Sequence, residues 1–268
     1  MTLYMIGLGL NDQKDITLKG LEAVKKSKKV FLESYTSRLN CSVQELEKLY
    51  EQKIILADRE LVESKADKIL DSALKEDVSF LVIGDVFSAT THTDLYIRAL
   101  EKGIKLEVIN NASILNAIGI VGLELYKFGK TTSIVFPLDN WKPETHYNVL
   151  KENQAMDLHT LALLDIKVKE PSPEDIKKGN NNPLPERYMT VNEGIRSLLD
   201  IEEKRREGIF TLDTFCIGCA RIGSKDFKII AGTAKELLEK DFGEPLHCLI
   251  IPSKNLHDIE REMIEKWK

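Results

Sequence analysis

The residues best suited to bind a ligand follow a short apolar stretch at residues 80–83. There the chain runs into Gly84 and Asp85 and then into several hydroxyl side chains that end at His92. Ligands of open α/β proteins bind at the carboxyl ends of strands, where a glycine permits a close backbone approach or a positive φ. A carboxylate at this position can bind a cation, or it can cap a following helix. The segment therefore predicts a ligand site at a strand end.

A second glycine turn lies near the start of the chain. Residues 3–6 predict a strand, Gly7 and Gly9 form its turn, and residues 15–27 predict a helix with apolar side chains three positions apart. Two strands that both end in glycine turns indicate one shared crevice.

Strands and helices alternate over the first part of the chain, in an order typical of a doubly wound parallel sheet. Apolar runs predict five strands, at residues 3–6, 29–32, 53–56, 80–83 and 106–109. Helical patterns separate these strands, at residues 15–27, 42–50, 61–74 and 93–102.

A second set of elements follows, with strands predicted at residues 133–136, 160–165, 214–222 and 246–251. Helices are predicted at residues 113–125, 190–207 and 258–268. Proline and asparagine residues between them predict a long surface loop over residues 170–185. The sequence thus predicts an α/β fold with two α/β domains, residues 1–112 and 113–268, and an active-site cleft between them.

The first glycine turn can also be compared with a dinucleotide-binding turn, which needs a third glycine at position 12. Asp12 stands there, and its negative charge opposes a pyrophosphate. Glu33 at the end of the second strand does imitate the acid that binds a ribose, so an NAD-dependent dehydrogenase stays open as an alternative.

Two cysteines have the spacing of a metal or redox motif, Cys216 and Cys219, and His247 and Cys248 follow downstream. The first pair lies in a predicted strand, where positions three apart point to opposite faces. We therefore predict buried, reduced thiols and no metal site, because free cysteine is usually buried and disulfides are rare in a reducing compartment.

Composition indicates a globular enzyme that does not bind nucleic acid. The formal net charge is −5 and the isoelectric point about 5.7, whereas a nucleic-acid platform normally has a basic face. No signal peptide is visible, and the most apolar stretch, residues 112–125, is too short to span a bilayer. We expect a cytoplasmic protein without a membrane partner.

Six motifs resemble, in order and spacing, those of the diphthine synthases, a family within the tetrapyrrole methylase superfamily. They are residues 4–10 (YMIGLGL), 15–20 (DITLKG), 84–92 (GDVFSATTH), 110–114 (NNASI), 220–223 (ARIG) and 243–247 (GEPLH). One departure is Asn110-Asn111, where other branches of the superfamily have Pro-Gly. Asparagine tolerates the left-handed region, so we expect the turn to be kept.

The resemblance implies a tetrapyrrole methylase-like fold and S-adenosylmethionine as methyl donor, with S-adenosylhomocysteine as product. It implies translation elongation factor 2 as protein substrate, with a modified histidine whose amino group is trimethylated and whose carboxyl group can also be esterified. It further implies a homodimer. A tetrapyrrole-type methylase that acts on a small molecule is the alternative on the same fold.

Carried over position by position, the resemblance implies eight cofactor contacts: Leu10, Asp85, Ser88, Ser113, Ile114, Leu164, Ile222 and His247. The apolar members would hold the adenine, and Asp85 would face the cationic sulfonium. Removing the Asp85 charge should then weaken binding of the donor and leave the fold intact. Each has an ordinary alternative, since the apolar residues could be core, His247 a structural histidine, and Asp85 a cap of the following helix.

No residue is assigned a catalytic role. Alignment of donor and acceptor is expected to dominate the rate, because a sulfonium methyl is already activated. The acceptor amine must still lose a proton, and Thr90, Thr91 and His92 are the residues to inspect as relays.

Overall fold

A computed structural model describes residues 1–138, 141–168 and 184–268. These residues form two compact units, the first comprising Met1–Ala117 and the second comprising Ile118–Lys167 and Glu186–Lys268. The loop predicted over residues 170–185 lies outside the described residues, except for its last two positions. In the part of the chain that is described, no helix is both long and apolar enough to cross a bilayer.

The first unit is built on a parallel sheet with the strand order β3-β2-β4-β1-β5. All five strands predicted for this part of the chain are confirmed within one or two residues at each end. Its elements, in chain order, are β1 (Thr2–Gly7), α1 (Leu18–Lys26), β2 (Lys29–Glu33), α2 (Val43–Tyr50), β3 (Ile54–Ala57), a π-helical turn (Glu60–Ser64), α3 (Asp67–Ala73), β4 (Val78–Val82), α4 (Thr93–Glu101), β5 (Lys105–Ile109) and α5 (Ile114–Ala117).

Helices cover both faces of this sheet, as a doubly wound fold requires. Along β1, Leu3 and Met5 are buried in a cluster with apolar residues of α3 and α4. Tyr4 and Ile6 point the other way and are buried in a cluster with residues of α1 and α2. Because both faces are covered, the strand reads as a continuous apolar run rather than an alternating one.

The second unit is built on a mixed sheet with the strand order β11-β10-β12-β7-β6. Its pairs are antiparallel except for β6 and β7, which run parallel. Its elements are two 3₁₀ turns (Ile118–Val121 and Leu125–Lys127), β6 (Thr132–Ile134), α6 (Thr145–Ala155), β7 (Thr160–Leu164), the short pair β8 (Ile166–Lys167) and β9 (Arg187–Tyr188), α7 (Val191–Arg205), β10 (Phe215–Ala220), β11 (Lys228–Thr233), α8 (Ala234–Leu238), β12 (His247–Ile251) and α9 (Asp258–Glu265).

Two predicted helices are broken in the structure. The helix predicted at residues 113–125 is only α5 followed by 3₁₀ turns, because Gly122 has a φ of +90° and a Cβ there would lie 2.0 Å from the Met263 side chain. The helix predicted at residues 61–74 is divided at Lys65 into the π-helical turn and α3. In contrast, the capping box predicted at Thr190 is present at the start of α7.

Candidate functional site

The two glycine turns lie side by side at the carboxyl ends of β1 and β4. The Gly9 N–H donates to the Gly84 carbonyl at 3.1 Å, and the Gly84 N–H donates to the Gly9 carbonyl at 2.7 Å. Both glycines have positive φ, +78° and +80°, which side chains rarely adopt. The sequence prediction that these two turns belong together is confirmed.

Asn111, just beyond β5, connects the loop after β5 to the carboxyl end of β1. Its amide Nδ2 donates to the carbonyl oxygens of Gly7 at 3.0 Å and Asp15 at 2.9 Å. The Asp15 carboxylate in turn accepts the backbone N–H groups of Leu10 and Asn11 at 3.2 and 2.8 Å, which fixes the half-buried Leu10 turn. Neither Asn110 nor Asn111 has a positive φ, so this turn does not use the left-handed region, and Asn111 acts through its side chain.

The carboxylate of Asp85 binds two strand-end loops together. Oδ1 accepts from the Phe87 N–H at 3.1 Å and the Ser88 hydroxyl at 3.2 Å within its own loop. Oδ2 accepts from the Asn110 amide at 3.0 Å and the Asn111 N–H at 3.1 Å beyond β5. The side chain is buried, which by itself would raise its pKa, but these four donors hold the pKa below its usual value. Asp85 is therefore ionised and connects the loop after β4 to the loop after β5, a set of four hydrogen bonds that we call the Asp85 clamp.

The helix-cap alternative for Asp85 is wrong. The helix after β4 begins only at Thr93, and its cap position is His92. Ser113, buried at the end of the β5 loop, lies near Gly84: a Cβ built on that glycine would lie 3.9 Å from the Cα of Ser113. Ile114 follows, half-buried, as the first residue of α5. In the first unit, the structure thus brings Asp85, Ser88 and Ser113 around one glycine turn.

The candidate proton relays hold the loop that follows Gly84. The Thr90 hydroxyl and the His92 Nδ1 both bind the carbonyl of Val86, at 2.8 and 3.2 Å. His92 is only 1% exposed, and burial lowers its pKa, although the nearby Glu33 carboxylate opposes this. Thr91 is exposed. A neutral, enclosed histidine is placed to stabilise the loop, and none of the three residues is assigned as a base.

Two features contradict the dinucleotide alternative. The Glu33 carboxylate is fully buried and accepts the N–H groups of Tyr35 and Thr36 at 2.6 and 2.7 Å, as well as the Thr36 hydroxyl, so its oxygens are occupied within the protein. Moreover, the turn after β1 does not open a helix, because α1 begins only at Leu18. A pyrophosphate would therefore meet Asp12 rather than a helix N-terminus.

In the second unit, the candidate contacts lie at the ends of β7, β10 and β12. His247 begins β12 and pairs with Ala220, the last residue of β10. Ile222 lies two residues after Ala220, and both His247 and Ile222 are buried. Leu163 and Cys248 are register partners, so Leu164 lies at the same end of the sheet as His247. Leu164 packs against α7, where a Cβ on Gly194 would lie 2.8 Å from it, and it belongs to the core of the unit.

His247 carries a buried polar atom that has no hydrogen-bond partner in the part of the chain that the structure describes. Its Nε2 donates to the Glu244 carbonyl at 3.0 Å, which leaves Nδ1 as an acceptor. Among the described residues, Nδ1 has no hydrogen-bond partner. Burial lowers the pKa of the ring, so it is neutral at pH 7 and its lone pair is available to a ligand that offers a hydrogen bond.

The cysteines lie in the second sheet as the spacing predicted. Cys216 and Cys219 are three positions apart on β10 and therefore point to opposite faces, and both are buried. Cys219 is the register partner of Cys248. Burial raises the pKa of Cys216 to about 12, so its thiol is protonated and unreactive. Over the described ranges, no group of three or more His, Cys, Asp or Glu side chains is arranged to hold a metal ion.

Residues 2–238 match the family model described as Tetrapyrrole (Corrin/Porphyrin) Methylases. The chain belongs to the tetrapyrrole methylase family. It is 54% identical over 270 residues to diphthine methyl ester synthase of Dictyostelium discoideum, covering 100% of this chain and 98% of that one. It is 53% identical over 266 residues to diphthine methyl ester synthase of Bos taurus, covering 98% and 93%. A crystal structure of diphthine synthase aligns with a TM-score of 0.85 at 32% identity, covering 100% and 96%.

These similarities establish a methyltransferase of the diphthine synthase type and give no support to a dehydrogenase. Sequence reasoning missed the role of Asp15, Asn110 and Asn111 in holding the strand-end loops of the first unit together. The Asn-Asn pair directly after a strand was the one available signal, because two adjacent amides at a strand end are suited to bind neighbouring loops.

Proposed function

We propose that this protein uses S-adenosylmethionine to methylate the modified histidine of translation elongation factor 2 during diphthamide biosynthesis. The reaction adds methyl groups to the amino nitrogen until it is a trimethylammonium, and it also esterifies the carboxyl group. The observation that carries this proposal is identity above 50% over nearly the full length of several diphthine methyl ester synthases.

The residues present are consistent with this donor. In the first unit we propose Leu10, Asp85, Ser88, Ser113 and Ile114 as contacts, and in the second unit Leu164, Ile222 and His247. S-adenosylmethionine carries no phosphate, in keeping with the acidic turn at Asp12. Its adenosine half has amino and hydroxyl hydrogen-bond donors. The Nδ1 of His247, which no described residue contacts by a hydrogen bond, is a buried acceptor for one of them.

The donor supplies an activated methyl group, so the chain contributes mainly alignment. Holding the two reactants in line can lower a barrier by about 7–11 kcal/mol in the best cases. The glycine turns are hydrogen-bonded to each other, and Asn111 binds both Gly7 and the Asp85 carboxylate. These bonds hold the backbone of the strand ends in the fixed position that such alignment needs. No general base is assigned among the described residues, and transfer to nitrogen ends when the amine has no lone pair left.

A methyl-transfer assay tests the proposal. The purified protein is incubated with methyl-labelled S-adenosylmethionine and either elongation factor 2 bearing the unmethylated modified histidine or a porphyrinoid. We expect label only in the elongation factor, part of it removable by mild base as the ester. Labelling of the porphyrinoid instead would support the small-molecule alternative, and no labelling of either would contradict the proposal.

Calorimetry with S-adenosylmethionine, S-adenosylhomocysteine and NAD tests the donor separately. We expect the first two to bind and NAD not to bind. We further propose a cytoplasmic homodimer, which light scattering in solution tests through its mass; a mass near the 30.4 kDa of one chain would contradict the dimer.

A further inference from the structure

Arg221 connects the loop that precedes β12 to the end of β10. Its side chain is only 10% exposed, and its guanidinium donates four hydrogen bonds. Nη1 donates to the carbonyls of Phe242 at 3.0 Å and Glu244 at 2.5 Å. Nε and Nη2 bind the carboxylate and carbonyl of Asp226 at 2.8 and 2.9 Å, which fixes the plane of the guanidinium.

The backbone around this arginine is shaped for the same contact. Arg221 itself has a φ of +51°, and its N–H donates to the Leu246 carbonyl at 2.8 Å. Gly243 has a φ of +72°, and a Cβ built there would lie 3.4 Å from Nη1. A residue with a side chain at position 243 would be strained by this positive φ and would lie in contact with the guanidinium.

The Glu244 carbonyl is shared between Arg221 and His247. A carbonyl oxygen has two lone pairs, and here one accepts from Arg221 Nη1 and the other from His247 Nε2. Because Nε2 carries the proton, Nδ1 is the bare acceptor, and it is buried without a partner among the described residues. The carbonyl that selects this tautomer is itself held in place by the arginine.

We propose that Arg221 is a positioning residue for the methyl-donor site: it fixes the Glu244 carbonyl so that His247 presents Nδ1 as a neutral acceptor to an amino or hydroxyl group of the donor's adenosine half. The inference rests on the proposed function for the identity of that donor. Burial is the main reason the pKa of His247 is low, and the positive charge of Arg221 lowers it further, so the same arginine also keeps the ring unprotonated.

The first measurement needs no ligand. Long-range ¹H–¹⁵N correlation spectra of the full-length, ¹⁵N-labelled protein report the tautomer of each histidine, with His247→Asn assigning the signals. We expect a single Nε2–H tautomer for His247 in the native protein and a mixture of tautomers in Arg221→Met. Arg221→Lys, which keeps the positive charge and an ammonium donor group but loses the planar fork, should restore part of the native pattern and serves as the second variant if Arg221→Met does not fold.

The second measurement is binding and kinetics. Losing one hydrogen bond to a neutral group should weaken S-adenosylmethionine and S-adenosylhomocysteine equally, by about three- to tenfold. The KM for S-adenosylmethionine should rise while kcat at saturation stays near the native value. In a His247→Ala background, Arg221→Met should have no further effect on affinity, because its action is transmitted through His247.

Arg205→Met is a matched control, since this arginine also binds several acceptors, but its partners are Glu144, Asn148 and Glu207. It should leave affinity unchanged. Native affinity in Arg221→Met, a single retained tautomer despite lost affinity, or losses that add in the double variant would each overturn the proposal. If the native protein binds no S-adenosylmethionine, the proposed donor fails, yet the tautomer measurement still tests the link from Arg221 to His247.

Discussion

Replacing Asp85 with asparagine separates two roles that a strand-end carboxylate can have. Sequence alone favours a direct contact with a cationic donor, in which case the fold should remain intact. The structure gives both carboxylate oxygens two protein donors each, from Phe87 and Ser88 on one side and from Asn110 and Asn111 on the other. We therefore expect the variant to weaken the clamp between the two loops.

The expected magnitude follows from the donors. Whichever way the asparagine amide turns, its NH₂ group faces two of the four donors. If it turns toward Ser88, the hydroxyl can rotate to accept, but the Phe87 N–H is left unpaired, at a cost of about 1–3 kcal/mol. The remaining bonds lose their charge assistance, so we expect a total loss of about 2–3 kcal/mol in the free energy of unfolding. A protein of this size should then melt roughly 4–12 °C lower.

The assay combines thermal melting with calorimetry against two ligands that differ in charge at sulfur. S-adenosylmethionine is a sulfonium cation there, and S-adenosylhomocysteine is neutral. A loosened clamp should weaken both ligands by the same factor, up to about tenfold. Asn110→Ala is the matched control, because it removes one donor and keeps the charge, and it should give about half the destabilisation.

The reasoning would be refuted by an unchanged melting temperature together with a loss confined to S-adenosylmethionine. That pattern would show that the carboxylate faces the sulfonium directly and that its four protein donors contribute little to stability.

Three further predictions concern other parts of the molecule. Burial lowers the pKa of His92, His146, His159 and His247 in the folded protein, so as the pH falls through about 6.5 the unfolded chain takes up protons before the folded protein does. Urea titrations should therefore show the free energy of unfolding decreasing as the pH is lowered, by at most about 1.4 kcal/mol per pH unit for each histidine. Elemental analysis should find no stoichiometric zinc, and a chelator should not slow methyl transfer. The Glu202 carboxylate accepts three backbone N–H groups after α7 and a tyrosine hydroxyl, so Glu202→Gln should lower the free energy of unfolding by about 1–3 kcal/mol. Urea unfolding measures this loss, and an unchanged midpoint would contradict it.

The first sheet was predictable because its central strands are buried on both faces. Central strands such as Val78–Val82 are fully enclosed and read as short apolar runs between polar helix surfaces. The glycine turns after two of them then mark the strand ends. Sequence and structure agree here because the local pattern and the tertiary environment demand the same residues.

The second sheet was harder to predict. Helix α6 buries His146 and Asn153 as well as apolar side chains, so its apolar periodicity is weak and it was not predicted. Strand β11 (Lys228–Thr233) has half-buried residues at both ends and was also missed. β8 and β9 have two residues each and are below the length at which a pattern is visible.

The residues that orient the candidate contacts in each unit could not be predicted for a different reason, because they bind main-chain carbonyls that are distant in sequence. Asn111 binds the carbonyl of Gly7, 104 positions away, and Arg221 binds that of Glu244, 23 positions away. Any residue except proline could supply a similar carbonyl acceptor and N–H group, so the partner leaves no trace in the sequence. The residues proposed to contact the donor follow from the resemblance of their motifs, whereas the residues that orient them can be identified only from coordinates. A glutamine at position 111 tests this distinction: it keeps the amide but lengthens the side chain by one methylene, so it should misplace both the Gly7 and Asp15 contacts. We expect Asn111→Gln to weaken donor binding measured by calorimetry by about as much as Asn111→Ala, and native affinity in the glutamine variant would show that the position requires only an amide.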